Sequence, residues 1–264
     1  MSLFAASLNS GSNGNCYFIG NPKEAVLVDC GISYREVKRR LQRLAISIDS
    51  IIAIIITHEH NDHVVGVAKV TRKHHIPVYV SAKTNQQFNF GVDESLIRIF
   101  HTHEEIKLGQ LTISFAPRFH DAVDAHSVLV QNGTTKIGVF TDLGKACADT
   151  IRHFKQCHAA FLESNYDEAM LEEGPYSISL KNRVRGDYGH LSNQQALNLF
   201  LNHRPPFMRH LFLSHLSRNN NREEIVQSLF EPWGKDTQII IASRNKETAL
   251  FKIGVEEHVQ LGLF

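Results

Sequence analysis

Thr57-His58-Glu59-His60-Asn61-Asp62-His63 places three imidazoles beside carboxylates within one short stretch. It directly follows Ile51 to Ile56, the strongest apolar run of the chain. Because that run is short, rich in β-branched residues and unbroken by polar side chains, it predicts a strand buried on both faces of a sheet, with helices above and below. A histidine-rich surface loop is the alternative, but such a loop has no need of metal-ligand chemistry at the end of a buried strand.

The spacing within this stretch predicts where its side chains point. In an extended segment, residues two apart face the same way, so His58 and His60 can grip one ion. Asp62 and His63 lie just before a helix that is expected to begin at Val64, and we expect them to turn toward a second ion position. Imidazole and carboxylate ligands together suit zinc, iron or manganese better than magnesium or calcium.

Length and composition set outer limits. The chain has 264 residues, 42% of them hydrophobic and 21% charged, as expected for a globular protein with ample core. A net charge of +1 excludes a global field that could hold a polyanion, so any nucleic acid must be bound locally. We find no signal peptide at the start and no apolar run of about 18 residues, which favours a cytoplasmic protein with no membrane contact. The cysteines lack paired metal spacing and are expected to be free thiols in a reducing compartment. They are Cys16, Cys30, Cys147 and Cys157.

A recurring pattern unites distant parts of the chain: several apolar strands end in a histidine or an acid. Side chains gathered at one end of a sheet are how α/β proteins build an active site. The residues at these strand ends are His58, His120, Asp142, Glu163 and His215. No short repeat or low-complexity linker interrupts them, so we expect one catalytic domain over residues 1–264.

Secondary-structure signals accompany this pattern. Ser33 with Glu36, and Ser192 with Gln195, predict capping boxes at two helix starts. A helix is expected from Val64 to about His75, and a hairpin across the turn at 132–133. The segment from 174 to 189 contains many turn formers and basic residues, and we expect it to be irregular.

The ordered set His58-x-His60-x-Asp62-His63, His120, Asp142 and His215 resembles the metallo-β-lactamase superfamily over most of the chain. The resemblance implies an α/β fold, an αββα sandwich of two mixed β-sheets flanked by helices, with two divalent metal ions (zinc, manganese or iron) in a cleft between the sheets. True β-lactamases usually lack Asp at the position of Asp142, which disfavours an antibiotic-cleaving role. Carried over by motif, the first metal would take His58, His60 and His120, and the second Asp62, His63 and His215, with Asp142 bridging.

A finer resemblance is to the YycJ-type branch, a DNA exonuclease group related to tRNA-processing phosphodiesterases. In the tRNA-processing relatives, residues equivalent to Glu163 and His190 form a proton-donating pair. The branch more often has serine where Asn13 stands and histidine where Tyr188 stands, departures that affect substrate choice and leave the metal ligands intact. The matching segments are 10–15, 141–144, 162–165, 189–193 and 214–217.

Charge favours the same chemistry. The positive charge of two dications exceeds the negative charge of the Asp62 and Asp142 carboxylates, even when a bridging hydroxide, the nucleophile, is added. The site is therefore positive, which favours an anionic phosphodiester as substrate. The leaving alkoxide needs a proton, and His190 polarised by Glu163 is the natural donor. Asp62, Glu163 and His190 are therefore the candidate catalytic residues.

Weaker candidates surround this set, each with an ordinary structural alternative. Ser12 and Asn13 lie in a turn-rich loop whose backbone amides could approach an anion, or which is a plain hairpin turn. Lys181, Arg183 and Arg185 alternate, so in an extended loop all three would face one way toward phosphates; a solvated basic loop is the alternative. The remaining candidates are Asp121, Asp124 and His126 as supports for ligands, and Phe119 and Tyr188 as stacking residues.

Three functions compete at this level. The favoured one is a dinuclear phosphodiesterase acting on nucleic acid, most simply a 5′-to-3′ DNA exonuclease. The second is hydrolysis of a small cyclic phosphodiester or a thioester in the same cleft, and the third is a non-catalytic metal-binding sensor. Glu163 and His190 favour the first, because a thioester has a good leaving group that needs no acid. The sequence specifies no oligomeric state.

Overall fold

Seven strands form the first sheet, sheet A. We describe it from a computed structural model that covers residues 2–254. The spatial order is β14-β1-β2-β3-β4-β5-β6, antiparallel from β14 to β3 and parallel from β3 to β6. The strands are β1 (Leu3–Asn9), β2 (Cys16–Gly20), β3 (Ala25–Val28), β4 (Ile51–Ile55), β5 (Val78–Ser81), β6 (Ile97–Phe100) and β14 (Phe251–Ile253).

Sheet B has the same size and a similar division. Its order is β13-β12-β11-β10-β9-β8-β7, antiparallel from β7 to β10 and parallel from β10 to β13. The parallel half brings the carboxyl ends of four neighbouring strands to one edge. The strands are β7 (Glu105–Leu108), β8 (Leu111–Pro117), β9 (His126–Asn132), β10 (Thr135–Phe140), β11 (Ala159–Glu163), β12 (His210–Ser214) and β13 (Gln238–Ile241).

Helices cover the outer faces of both sheets. Those that follow β3 and β4 pack on sheet A, and three others pack on sheet B. They are α1 (Tyr34–Arg43), α2 (Asn61–Val64), α3 (Val67–His74), α4 (Ala82–Gln87), α5 (Ala148–Phe154), α6 (Glu168–Glu173), α7 (Ile178–Arg185), α8 (Asn193–His203) and α9 (Glu223–Phe230).

The main core lies between the two sheets. Tyr17 of β2 meets Phe161 of β11 with ring centroids 4.8 Å apart, and Phe100 of β6 stacks on Phe115 of β8 at 3.6 Å. A second cluster joins the outer face of sheet A to α1 and α3, and a third joins sheet B to α5, α8 and α9. Three apolar layers between four structural layers are the αββα sandwich, so the predicted fold class is confirmed.

Helix starts follow the predicted caps, with one difference. Ser192 and Gln195 form a complete capping box at α8. Ser33 accepts the N–H of Glu36 at α1, but the Glu36 carboxylate pairs with Arg39 and Arg40 instead of returning to the cap. The Glu36 carboxylate binds the arginines in preference to the backbone N–H of the cap, because hydrogen bonds from a charged guanidinium are stronger.

Two predicted segments differ from the structure. The helix expected from Val64 is split into α2 and α3, because the Gly66 N–H bonds the Cys30 carbonyl at 2.8 Å instead of the carbonyl four residues earlier. Only glycine fits this close approach, since a Cβ there would lie 2.1 Å from the Ile32 carbonyl oxygen. The segment 174–189, predicted to be irregular, contains helix α7, whose N-cap Ser177 accepts the N–H of Leu180. The sequence pattern did not reveal this Ser cap, nor the caps of α4, α5 and α6.

The cysteines are free and three of them are buried, as predicted. Residues 2–254 contain no helix that is both long enough and apolar enough to cross a bilayer.

Candidate metal centre

The predicted ligands converge at one edge of the sandwich. β4 leads into His58 and His60, and the short helix α2 carries the next two ligands of the motif. On the other sheet, β8, β10 and β12 lead into His120, Asp142 and His215. Parallel pairing of β10, β11 and β12 aligns their carboxyl ends, which is why residues far apart in sequence meet here.

A first donor set consists of three imidazoles. One ring nitrogen from each of His58, His60 and His120 lies within 4.8 Å of the others. The Nδ1 of His60 is 3.4 Å from the Nε2 of His120. Zinc–nitrogen bonds of about 2.0–2.1 Å in a tetrahedron put neighbouring ligand atoms roughly 3.4 Å apart. The spacing therefore fits two ligands of one cation.

A second donor set lies beside the first. The Oδ2 of Asp62 is 3.6 Å from the Nε2 of His63 and 3.6 Å from the Nε2 of His215. Within residues 2–254, the buried Nε2 atoms of His58 and His215 have no hydrogen-bond partner. A buried polar atom left unpaired costs about 1–3 kcal/mol, so atoms that converge in this way fit a ligand role.

Asp142 lies between the two sets. Its Oδ2 is 3.2 Å from the Nε2 of His63, and its Oδ1 is 3.7 Å from the Nε2 of His120. Asp142 and His215 both have left-handed backbone, with φ of 54° and 56°. Such a conformation is uncommon outside glycine and often marks functional sites. One carboxylate can thus face both donor sets.

The metal-free site has strongly shifted protonation. Burial by itself would raise the pKa of Asp142, but the nearby imidazoles of His215 and His63 outweigh it and hold the pKa well below its usual value. Burial opposes the charged form of His63, yet Asp142 and Asp29 raise its pKa to about 10. Burial lowers the pKa of His58. In the metal-free site a protonated His63 therefore compensates the carboxylates, a role that a divalent cation would take over.

Asp29, which sequence reasoning missed, orients one ligand of each set. Its Oδ2 lies 2.7 Å from the Nδ1 of His63 and accepts the Thr57 hydroxyl at 2.9 Å. Its Oδ1 accepts the Thr57 backbone N–H at 2.9 Å. The Thr57 hydroxyl oxygen lies 2.9 Å from the Nδ1 of His58, and the Nη2 of Arg118 lies 3.0 Å from the same nitrogen. Both imidazoles are thus held at Nδ1, and their Nε2 atoms turn toward the donor sets. The available signal was an acid after an apolar strand, β3.

Arg118 is a second missed residue, buried beneath the site. It donates to the carbonyl of His126 at 2.8 Å and to the Thr57 hydroxyl at 3.3 Å. Its Nη2 is 4.0 Å from the Oδ2 of Asp142. The planar guanidinium has enough donors to bond all of these partners at once. Nothing in the sequence around Arg118 distinguishes it from any other arginine that follows a strand.

Of the three residues expected to support ligands, one contacts a ligand directly. The Oδ1 of Asp121 lies 3.4 Å from the Nε2 of His120. Asp124 instead faces Lys83 at 3.7 Å, and the His126 ring bonds Thr102 at 2.9 Å. His126 contributes to the site through its main-chain carbonyl, which accepts from Arg118.

Glu163, the last residue of β11, joins the donor sets to His190. Its Oε1 accepts from the Nδ1 of His190 and from the Nδ1 of His215, each at 2.8 Å. Its Oε2 accepts the backbone N–H groups of Leu143 at 2.7 Å and Leu191 at 3.1 Å. Burial would raise the pKa of Glu163, but its two imidazole partners lower it to about 2. The carboxylate is therefore ionised and fully bonded, while the His190 side chain is 23% exposed.

The basic residues of α7 do not share a face, contrary to the sequence expectation. A helix turns about 100° per residue, so Arg183 points away from Lys181 and Arg185. Arg183 pairs with Asp121 at 2.5 Å, whereas Arg185 pairs with Glu172 at 2.8 Å and Lys181 donates to the Glu172 carbonyl. An extended loop with three parallel cations is thus wrong for this chain.

The remaining candidates are placed as follows. Ser12 borders a cavity beside His190 and His215, whereas Asn13 donates to the Arg244 carbonyl at 2.9 Å. The Phe119 and Tyr188 rings meet edge-on with centroids 5.5 Å apart. Four other histidines lie outside the donor groups formed within residues 2–254. They are His74, His75, His101 and His103.

Comparison with known proteins agrees with this geometry. Residues 10–130 match the family model of the metallo-beta-lactamase superfamily. The chain is 30% identical to Exodeoxyribonuclease YycJ of Bacillus anthracis over 232 residues, which cover 86% of this chain and 87% of that protein. It is 30% identical over 224 residues to Exodeoxyribonuclease WalJ of Streptococcus pneumoniae, covering 83% of each.

Solved structures show the same fold. The metallo-beta-lactamase fold protein YhfI of Bacillus subtilis has a TM-score of 0.69 at 14% identity, covering 95% of this chain and 99% of that chain. The fold together with its His/Asp clusters supports binding of divalent metal. The chain therefore belongs to the metallo-beta-lactamase superfamily, in the branch of YycJ and WalJ, and is a metal-dependent hydrolase.

Proposed function

We propose that this protein is a dinuclear, metal-dependent DNA exonuclease that digests in the 5′-to-3′ direction. The observation that carries the proposal is a single carboxylate, Asp142, facing two adjacent donor sets while the Glu163–His190 pair stands beside them. In this proposal the first cation is held by His58, His60 and His120. The second is held by Asp62, His63 and His215, with Asp142 shared.

The charge of such a site selects an anionic substrate. When bound, two divalent cations lower the pKa of a water molecule and neutralise phosphoryl oxygens. The carboxylates of Asp62 and Asp142 return less charge than the cations bring, so the site stays positive. Arg118 adds a buried positive charge 4.0 Å from Asp142. A phosphodiester is accordingly favoured over a neutral amide or ester.

His190 is proposed as the proton donor to the leaving oxygen. Its Nδ1 donates to Glu163, which fixes the ring and leaves Nε2 as the nitrogen that can carry and release a second proton. Glu163 stabilises the imidazolium that this role requires, because it stays ionised with a pKa of about 2. The alkoxide of a sugar is a poor leaving group, so such an acid contributes about 10²–10⁴-fold. A thioester gains little from it.

The substrate class rests on the relatives. YycJ and WalJ are named as exodeoxyribonucleases, and the alignments extend over most of both chains. We propose one catalytic domain over residues 1–264, of which residue 1 and residues 255–264 lie outside the described part. Free thiols at all four cysteines suit a reducing compartment such as the cytoplasm.

A substrate panel tests the proposal. The metal-reconstituted protein is incubated with 5′-phosphorylated single- and double-stranded DNA, with RNA, and with bis(p-nitrophenyl) phosphate, using strands labelled at either end to read polarity. We expect DNA to be degraded from its 5′ end, and an Asp142→Ala variant to be inactive on every substrate. Cleavage of the small ester alone would contradict the nuclease assignment and support the small-phosphodiester alternative.

A further inference from the structure

A cavity of about 210 Å³ opens directly beside the metal centre. His190 and His215 form its inner end, and helix α7 forms one side. Pockets for drug-sized ligands enclose about 300–1,000 Å³, so this one suits a single ring system rather than a run of nucleotides. Its position next to the proposed proton donor places whatever fills it beside the reacting group.

One side of the cavity is apolar. Leu180 and Val184 lie one helical turn apart on α7 and face the cavity together, and Tyr176 extends the same wall. Flat rings bind favourably against aliphatic and aromatic side chains, since the buried apolar surface contributes about 25 cal/mol per Å².

The opposite side carries neutral hydrogen-bonding groups. The Asn165 amide nitrogen donates to the His215 carbonyl at 2.8 Å, and the Asn165 carbonyl accepts the Ser217 backbone N–H at 2.8 Å. The first bond holds the Asn165 side chain in place, and the second joins the main chains of the two residues. No residue from 2 to 254 bonds the Oδ1 of Asn165, and the Ser217 hydroxyl accepts from Asn220 while its own hydrogen is free. A fixed acceptor and a fixed donor therefore line this side.

Charge distinguishes a base from a phosphate as the occupant. Arg183 is the one Lys or Arg that borders the cavity among residues 2–254, and it is paired with Asp121 at 2.5 Å. A phosphate subsite would need unpaired cations or converging N–H groups. An apolar wall opposite an amide and a hydroxyl suits a neutral heterocycle.

We infer that this cavity binds the base of the terminal nucleotide, so that the phosphodiester next to it lies at the metal centre. The inference rests on the proposed nuclease function and deepens it: a cavity that takes one base makes the enzyme release one nucleotide per cut. Stacking and burial of one base contribute about 1–3 kcal/mol, roughly tenfold to a hundredfold in kcat/KM.

The test compares a normal DNA strand with one whose terminal nucleotide lacks its base. Wild-type protein is expected to release mononucleotides and to prefer the normal end by about tenfold to a hundredfold. Val184→Trp, which fills the cavity, is expected to cut both ends at similar rates. Ile178→Trp is the matched control, because Ile178 lies on the same helix, is 78% exposed and does not border the cavity. It should retain the wild-type preference.

Folding is checked separately for each variant by metal content and thermal unfolding, and Leu180→Trp provides a second way to fill the cavity. Equal rates of the wild type on both ends, or an undiminished preference in both filled variants, would overturn the inference while leaving the nuclease function intact. So would a dependence on the terminal phosphate in place of the base. Absence of any DNA cleavage by the wild type overturns both proposals.

Discussion

The Oε1 of Glu163 holds the Nδ1 of His190 at 2.8 Å and, through the same atom, the Nδ1 of His215 at 2.8 Å. A proposed proton donor and a proposed metal ligand are thus fixed by one oxygen. The buried Glu163 carboxylate also accepts two backbone N–H groups, so rotation of either imidazole would remove one of its four hydrogen bonds.

This relationship predicts how a His190→Ala variant behaves. We expect it to bind the same amount of metal as the wild type and to lose about 10²–10⁴-fold in DNA hydrolysis, where the leaving alkoxide needs a proton. Hydrolysis of bis(p-nitrophenyl) phosphate should change little, because nitrophenolate leaves without one. The measurements are kcat on both substrates and metal content. His101→Ala, at an exposed histidine, is the control; an equal loss on both substrates would assign His190 a structural role.

Asp29→Asn should weaken metal binding without removing a ligand. Asp29 holds the Nδ1 of His63 directly and reaches the Nδ1 of His58 through the Thr57 hydroxyl. Loss of such an outer partner typically costs about 10–100-fold in metal affinity. Competition with a chelator measures the change. Asp236→Asn, at an exposed acid, should bind metal like the wild type. Unchanged affinity in Asp29→Asn would mean that the backbone alone orients these imidazoles.

Removal of metal should both inactivate and destabilise the protein. Without cations, the buried Nε2 atoms of His58 and His215 lack hydrogen-bond partners within residues 2–254. Ligands that bind only the folded state stabilise it by about 2.7 kcal/mol at a hundredfold excess over Kd. Dialysis against a chelator should lower Tm, and readdition of Mn²⁺ or Zn²⁺ should restore it with about two equivalents per chain. Saturation at one equivalent would contradict the dinuclear assignment.

The two cations of α7 that share Glu172 are predicted to contact DNA phosphates. A Lys181→Ala, Arg185→Ala double variant should weaken DNA binding and reduce the slope of log K against log salt by about 1–2, because each cation removed leaves one phosphate unneutralised. DNA binding is measured across a salt series with protein from which a chelator has removed the metal, so that the DNA is not cleaved. The matched control is Lys107→Ala, on the outer strand β7. An unchanged slope would show that Glu172 already neutralises this pair.

Local patterns predicted much of the architecture. The unbroken run at 51–56 correctly indicated a buried strand, and Asn132-Gly133 correctly indicated the hairpin of β9 and β10. Element boundaries near Gly66 and within 174–189 were predicted wrongly. At Gly66 a close approach of two backbone segments interrupts the helix, whereas within 174–189 the Ser177 cap starts a helix. Turn-forming residues occur in both segments, so the sequence pattern does not distinguish the two outcomes.

The sequence by itself determined the ligand chemistry, because imidazoles and carboxylates placed directly after apolar strands are a local pattern that survives whatever the strand order. It also determined the fold class through the ordered motifs. Only the tertiary structure decided further partners: that Asp29 orients His63, and that Glu163, expected beside His190, also holds His215. Those pairings depend on strand register and on the burial of each oxygen, which are set by long-range packing between the two sheets and not by neighbouring residues.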